Sequence, residues 1–224
     1  MKIPEFLIRR KSELGSLSER DLSSILEFKK RAEEFEVALK RYYVGAMASH
    51  QRSDDVETKK STFKANTPEL DHLYLLSLKF RFFYAEKERT RFETVIGVLR
   101  KNAKDEWARN YLDRLSAQYR GIMNRAEMSK EMGHSVSNRD MIKLWFNSEF
   151  FHSDLDKRES LENINSKISK NVSLFQLYTA ISGVSPQINA LYAIVHDVKD
   201  GHYYIYTPEH HFSKNKPRSQ EVQA

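Results

Sequence analysis

The chain has 224 residues, 30% charged and 40% hydrophobic, with no cysteine and a formal net charge of +6. That apolar content can bury the core of one domain, which excludes a disordered chain, and seven glycines with five prolines are too few for the turns of a sandwich or barrel. The missing cysteines exclude disulfides, thiolate metal sites and a cysteine nucleophile.

From Met1 to Lys11 the apolar run is too short for a signal peptide, and no small-residue cleavage site follows it. No stretch approaches the roughly 18 apolar residues of a membrane span, so a cytoplasmic protein without a membrane partner is expected. Residues 1–17 read as an N-terminal arm, 18–200 as a helical bundle domain and 201–224 as a polar C-terminal tail.

Ser18-Glu19-Arg20-Asp21 has the form of a capped helix start. Leu22, Ile25, Leu26, Phe28, Ala32, Phe35, Leu39, Tyr42, Tyr43 and Ala46 then recur near a 3.6-residue period, which predicts one long amphipathic helix to about Ser49. Gln51 to Asn66 is polar and aperiodic and reads as an exposed loop. Thr67-Pro68-Glu69 starts a second helix with proline at its first position. Leu70, Leu73, Leu76, Phe80, Phe83, Phe92, Val95 and Leu99 continue its period, and no proline intervenes before Asn102. A third helix is predicted from Asp105 to Met132, with Gly133 at its end.

Ser137-Asn138-Arg139-Asp140 repeats the cap pattern and opens a helix that runs through Trp145 to Asp154. Shorter helices are expected at about 155–169, 172–182 and 186–198. For residues 186–206 a strand hairpin around Asp200-Gly201 stands as the alternative. The predicted fold class is all-α, a helical bundle with three long helices and several shorter C-terminal helices.

Potential chemistry concentrates between Trp145 and Asp154, where four large aromatics crowd Asn147, Glu149, His152 and Asp154. Glu149 and His152 are three apart and can meet on one helix surface. Nearby carboxylates favour a cationic histidine, which suits acid–base work or contact with a phosphate. The plainer reading is a helix-end histidine bonded to Glu149, with Asp154 capping the next helix. The residues themselves leave both open.

Asn147 followed five residues later by His152, at a helix boundary in an all-helical domain, resembles the HEPN superfamily. The resemblance implies a small α-bundle, a homodimer, and a metal-independent RNA-cleaving site across its interface, in a toxin–antitoxin or defence setting. It implies that His152 is the acid–base or phosphate-contacting residue, that Asn147 orients the phosphate and that Glu149 sets the histidine tautomer. The family's motif arginine falls at Phe146, whose ring cannot supply a charged fork. RNA binding, or a site completed by a distant arginine such as Arg139, is therefore expected over ordinary cleavage, and catalysis stays open.

Lys79 to Arg125 holds twelve Lys/Arg against six Asp/Glu, while the remainder of the chain balances. Such a local excess attracts phosphate backbones, although mixed charge on solvated helix faces is the commoner origin. Arg139, Lys143, Arg100, Lys101 and Lys104 are the candidate nucleic-acid contacts. Glu131/His134 and Glu149/His152 share the Glu-x-x-His spacing of di-iron bundles, but Gly133 breaks the first pair's helix. His196, His202, His210 and His211 match no compact ligand set. No metal and no cofactor is expected, and the chain carries no phosphate-binding glycine loop or Gly-x-Ser-x-Gly elbow.

Two functions follow. One is a HEPN-like protein that binds or cleaves RNA. The alternative is a non-catalytic helical module whose long first helix and aromatic C-terminal stretch bind a protein partner, which requires an exposed apolar patch.

Overall fold

The computed structural model describes residues 7–51, 67–84, 91–128, 135–140, 142, 174–198 and 201–208. In chain order these form β1 (Leu7–Glu13), α1 (Glu19–Gln51), α2 (Thr67–Tyr84), α3 (Phe92–Asn102) and α4 (Glu106–Met123). They continue with β2 (Ala126–Met128), β3 (Ser135–Ser137), α5 (Leu174–Gly183), α6 (Ser185–His196) and β4 (His202–Pro208). The described residues are mostly helical, and the three longest helices, α1, α2 and α4, begin where the three expected from periodicity begin. Among them no helix is long and apolar enough to cross a membrane.

Both serine caps form. The Asp21 N–H donates to Ser18 Oγ at 3.1 Å, and the Asp140 N–H donates to Ser137 Oγ at 3.1 Å. Each bond satisfies a donor that a first helical turn leaves open. The periodic run from Thr67 to Asn102 is two helices, because Arg91 is extended (φ −52°, ψ 133°) where α3 begins.

The third helix, expected to reach Met132, stops at Met123. Carbonyls at and just beyond its end find partners elsewhere: Asn138 Nδ2 donates to Ile122 O at 2.8 Å, and the Asn138 N–H donates to Arg125 O at 2.9 Å. The chain reverses to deliver them, with Ala126 of β2 opposite Ser137 of β3. Gly121 and Asn124 are weak helix formers and make the early ending inexpensive. Gly133 and the rest of 129–134 lie outside the described residues.

The core is built on aromatic rings. Phe28 and Phe35 of α1 meet Phe83 of α2 at 5.3 and 5.5 Å, and Phe35 also meets Phe80 at 5.9 Å. Phe92 of α3 stacks on Tyr119 of α4 at 4.2 Å. All six are buried, and such ring pairs add about 0.5–1.5 kcal/mol each beyond their area. One side of α1 therefore faces α2, α3 and α6, where Ile188, Leu191 and Val195 complete the same core.

Two carboxylates tie these helices together at the surface. Glu93 of α3 accepts from Arg120 Nε of α4 at 2.8 Å and from Arg91. Glu34 of α1 accepts from Lys79 Nζ of α2 at 2.9 Å and from Arg31 at 3.2 Å. The Lys79 hydrogen bond is the main force holding the Glu34 carboxyl below its ordinary 4.5. Burial pushes Glu93 upward, but its two guanidinium partners outweigh that and hold it below 4.5 as well. A depressed folded-state pKa adds stability above the unfolded value and loses it as pH falls through the folded one. The melting temperature is thus expected to drop as pH falls below about 4.5. In Glu93→Gln the drop should be shallower, with about 1 kcal/mol less stability at neutral pH. Thermal melts between neutral and acid pH measure both.

Residues 7–13 and 202–208, read from sequence as parts of an arm and a tail, are instead the two strands of one antiparallel sheet. Arg10 stands opposite Ile205 and Ser12 opposite Tyr203. Ser12, Leu14, Tyr203 and Ile205 are buried, so one face of this ribbon belongs to the core. The 186–206 alternatives resolve into a helix followed by a strand, but the strand's partner is β1 and not a neighbouring hairpin arm. Gly201 (φ 78°) makes the turn that a side chain would strain, and its carbonyl accepts from the Leu14 N–H at 2.7 Å.

Beyond Glu13, β1 clamps the junction of α3 and α4. Asp105 Oδ2 accepts from Ser12 Oγ and from the Glu13 N–H, both at 3.0 Å, and the Gly15 N–H donates to Asn102 O at 2.7 Å.

Candidate functional site

Of the residues singled out in sequence, Asn147, Glu149, His152 and Lys143 lie outside the described residues. The remaining four cations do not form one cluster. Arg100 is exposed and bonds Asp113 at 2.5 Å, Lys104 pairs with Glu13 at 3.3 Å, and Lys101 is exposed beside them at the end of α3. Arg139 sits at the other end of α4, where its neighbour Asn138 caps Ile122. The 18-residue helix sets Lys104 and Arg139 about 27 Å apart along its axis, with Arg100 between them at Asp113. Arg139 is half-buried, its Nε has no hydrogen-bond partner among the described residues, and its charge opposes the upward push that burial gives the Tyr119 hydroxyl.

The arginines of β1 are also engaged. Arg9 lies 3.5 Å from the centre of the Tyr204 ring and 3.8 Å from Asp197, which also accepts from the Tyr206 hydroxyl. Arg10 lies 4.0 Å from the centre of the Trp107 ring. These contacts fasten β1 to β4, α6 and α4. Tyr203 and Ile205, two members of the aromatic C-terminal stretch, pack inward and offer nothing to a partner.

The outer side of α1 is different. Its inner side, Ile25, Phe28, Ala32, Phe35, Ala38 and Tyr42, is buried. Opposite, Leu22, Leu26, Val37 and Val44 are 42, 57, 49 and 64% exposed. At about 100° per residue these four fall within a sector of about 60°. They form a ridge along the helix, interleaved with the exposed Lys30, Glu33 and Lys40.

A groove of 310 Å³ runs on each side of the ridge's C-terminal half. One is lined by Glu34, Val37, Ala38 and Arg41 with Leu75 and Lys79 of α2. The other is lined by Lys40, Tyr43 and Val44 with Tyr178 and Ser182 of α5 and Ser185 of α6. Tyr178 packs 4.7 Å from Tyr42, which fixes the second wall. On the ridge itself, Glu33 Oε1 accepts from the Tyr192 hydroxyl of α6 at 2.8 Å and so holds a fixed orientation.

Periodicity assigns Leu22, Leu26 and Tyr43 to the core and does not mark Val37 or Val44. Because apolar residues occupy two opposed sectors of α1, the helix is less one-sided than α3 or α4. The signal that could have found the ridge is the eleven-residue recurrence of Leu22, Glu33 and Val44 alongside Leu26 and Val37.

With this geometry in view, the chain was compared with family models, curated proteins and solved structures, and none of them matches it.

Proposed function

We propose that the protein is a helical interaction module that docks a protein partner on the outer ridge of α1. The observation that carries this reading is the line of four exposed aliphatic side chains, Leu22, Leu26, Val37 and Val44, on the side of α1 away from the core. Single apolar residues scattered on a surface are ordinary. An aligned set at helical spacing, rimmed by charge and flanked by grooves, is the form that accepts another helix. Leaving such a line in water costs about 25 cal/mol per Å² of apolar area, which a partner recovers.

The RNA reading has less beneath it. Its motif residues lie outside the described residues, and two of its cations, Arg100 and Lys104, already have carboxylate partners.

A photo-crosslinking residue placed at position 37 of the full chain, in the cells it comes from, tests the docking reading. One discrete protein adduct is expected. It should fall about tenfold or more in Leu26→Glu, because a charge on the ridge must be desolvated. Lys101→Glu and His152→Ala should leave it unchanged. An adduct indifferent to Leu26→Glu, or RNA binding that disappears in His152→Ala, overturns the reading.

A further inference from the structure

We infer that the ridge's partner is the same ridge on a second copy of this chain, paired antiparallel, an inference that rests on the docking reading above. The order of charges along α1 argues for it. When Leu26 is set against the partner's Val37, Lys30 faces the partner's Glu33, and the two-fold axis repeats both pairs with the roles exchanged. Leu22 then lies against the partner's Arg41, whose aliphatic stem can cover it. Each Leu26 enters the groove lined by the partner's Val37, the partner's Ala38 and the partner's Leu75.

Three other arrangements bring like charges together. Sliding the helices by one turn one way sets Glu33 against the partner's Glu34, and the other way sets Lys29 against the partner's Lys30. Parallel pairing puts Lys30 on the partner's Lys30 and Glu33 on the partner's Glu33. Like charges so placed repel, which favours the Lys30–Glu33 register over these three. Glu33 is already oriented by the Tyr192 hydroxyl at 2.8 Å, so little side-chain freedom is lost when a lysine arrives. The apolar ridge from Leu22 to Val44 is about 33 Å long, the span of a substantial two-helix contact.

Sedimentation of the full chain over a concentration series measures the association. A dimer is expected, weakened about tenfold by Lys30→Glu or by Glu33→Lys alone and restored in the double variant, because each copy then carries the pair reversed. The exposed positions leave the fold intact, which an unchanged helical circular-dichroism spectrum confirms for each variant. Since the chain has no cysteine, Leu26→Cys with Val37→Cys provides the only thiols. These lie about 16 Å apart within one helix, beyond disulfide reach, so oxidation should join two chains only.

Ready cross-linking by Leu26→Cys alone, or a dimer indifferent to the charge reversal, overturns the antiparallel register. A monomer that still gives the position-37 adduct with a different protein overturns self-pairing and leaves the docking ridge standing. A monomer with no adduct removes both.

Discussion

Ending the chain after Asp200 rather than after Pro208 is expected to lower its unfolding free energy by about 4–6 kcal/mol. The difference isolates β4. Tyr203 and Ile205 are fully buried, and burying side chains of that size contributes about 2–3 kcal/mol each. The loss extends to β1, whose inward N–H and C=O groups would lack their partners in β4, and to the Leu14 N–H, whose acceptor is the Gly201 carbonyl at 2.7 Å. Without the strand opposite, Ser12 and Leu14 would be uncovered. A domain holds only about 5–15 kcal/mol in total, so the shorter chain should melt roughly 10–20 °C lower. Thermal denaturation of the two truncated chains, followed by circular dichroism, decides the matter. Equal melting temperatures would show that the sheet contributes little.

Phe83→Ala should cost about 3–5 kcal/mol, the range for emptying a buried aromatic site. Its ring meets Phe28 at 5.3 Å, Phe35 at 5.5 Å and Phe80 at 6.3 Å, so the cavity opens where α1 and α2 cross. Three rings cannot all move into one vacancy without breaking their own pairings. Phe83→Leu keeps most of the volume and should cost less than about 1.5 kcal/mol. Urea unfolding at constant slope measures both. Near-equal losses would mean that the ring geometry matters more than the volume.

Features that depend on a few adjacent residues were legible in the sequence. Ser18 and Ser137 cap their helices because a hydroxyl and an N–H three residues apart need nothing else. The long periods of α1, α2 and α4 were legible for the same reason. What escaped depends on partners far away. β1 and β4 each offer seven residues with no neighbour in sequence to pair with, so they read as an arm and a tail. The end of α4 at Met123 depends on Asn138, and nothing within the helix announces that cap. The ridge on α1 was hidden by periodicity itself, since a helix apolar on two opposed sides reads as one that is apolar on one.

The candidate site was legible to a smaller degree. Net charge between Lys79 and Arg125 does not say which cations are paired, and Arg100 and Lys104 both have a carboxylate partner. The Asn147, Glu149 and His152 group falls outside the described residues. The exposed ridge is the observation on which the proposed docking role rests.

The β1–β4 sheet also sets an order of assembly during synthesis. About 190 residues lie between its strands, so at 5–20 residues per second β1 waits roughly 10–40 s for its partner. It need not wait unattached. Glu13 and Gly15 already find Asp105 and Asn102 once α3 and the start of α4 have emerged. The nascent chain can thus fold α1 to α4 around a docked single strand whose outer edge stays open. Arrival of β4 then acts as the final latch, and a ribosome stalled before residue 208 would hold a bundle that is formed but not yet fastened.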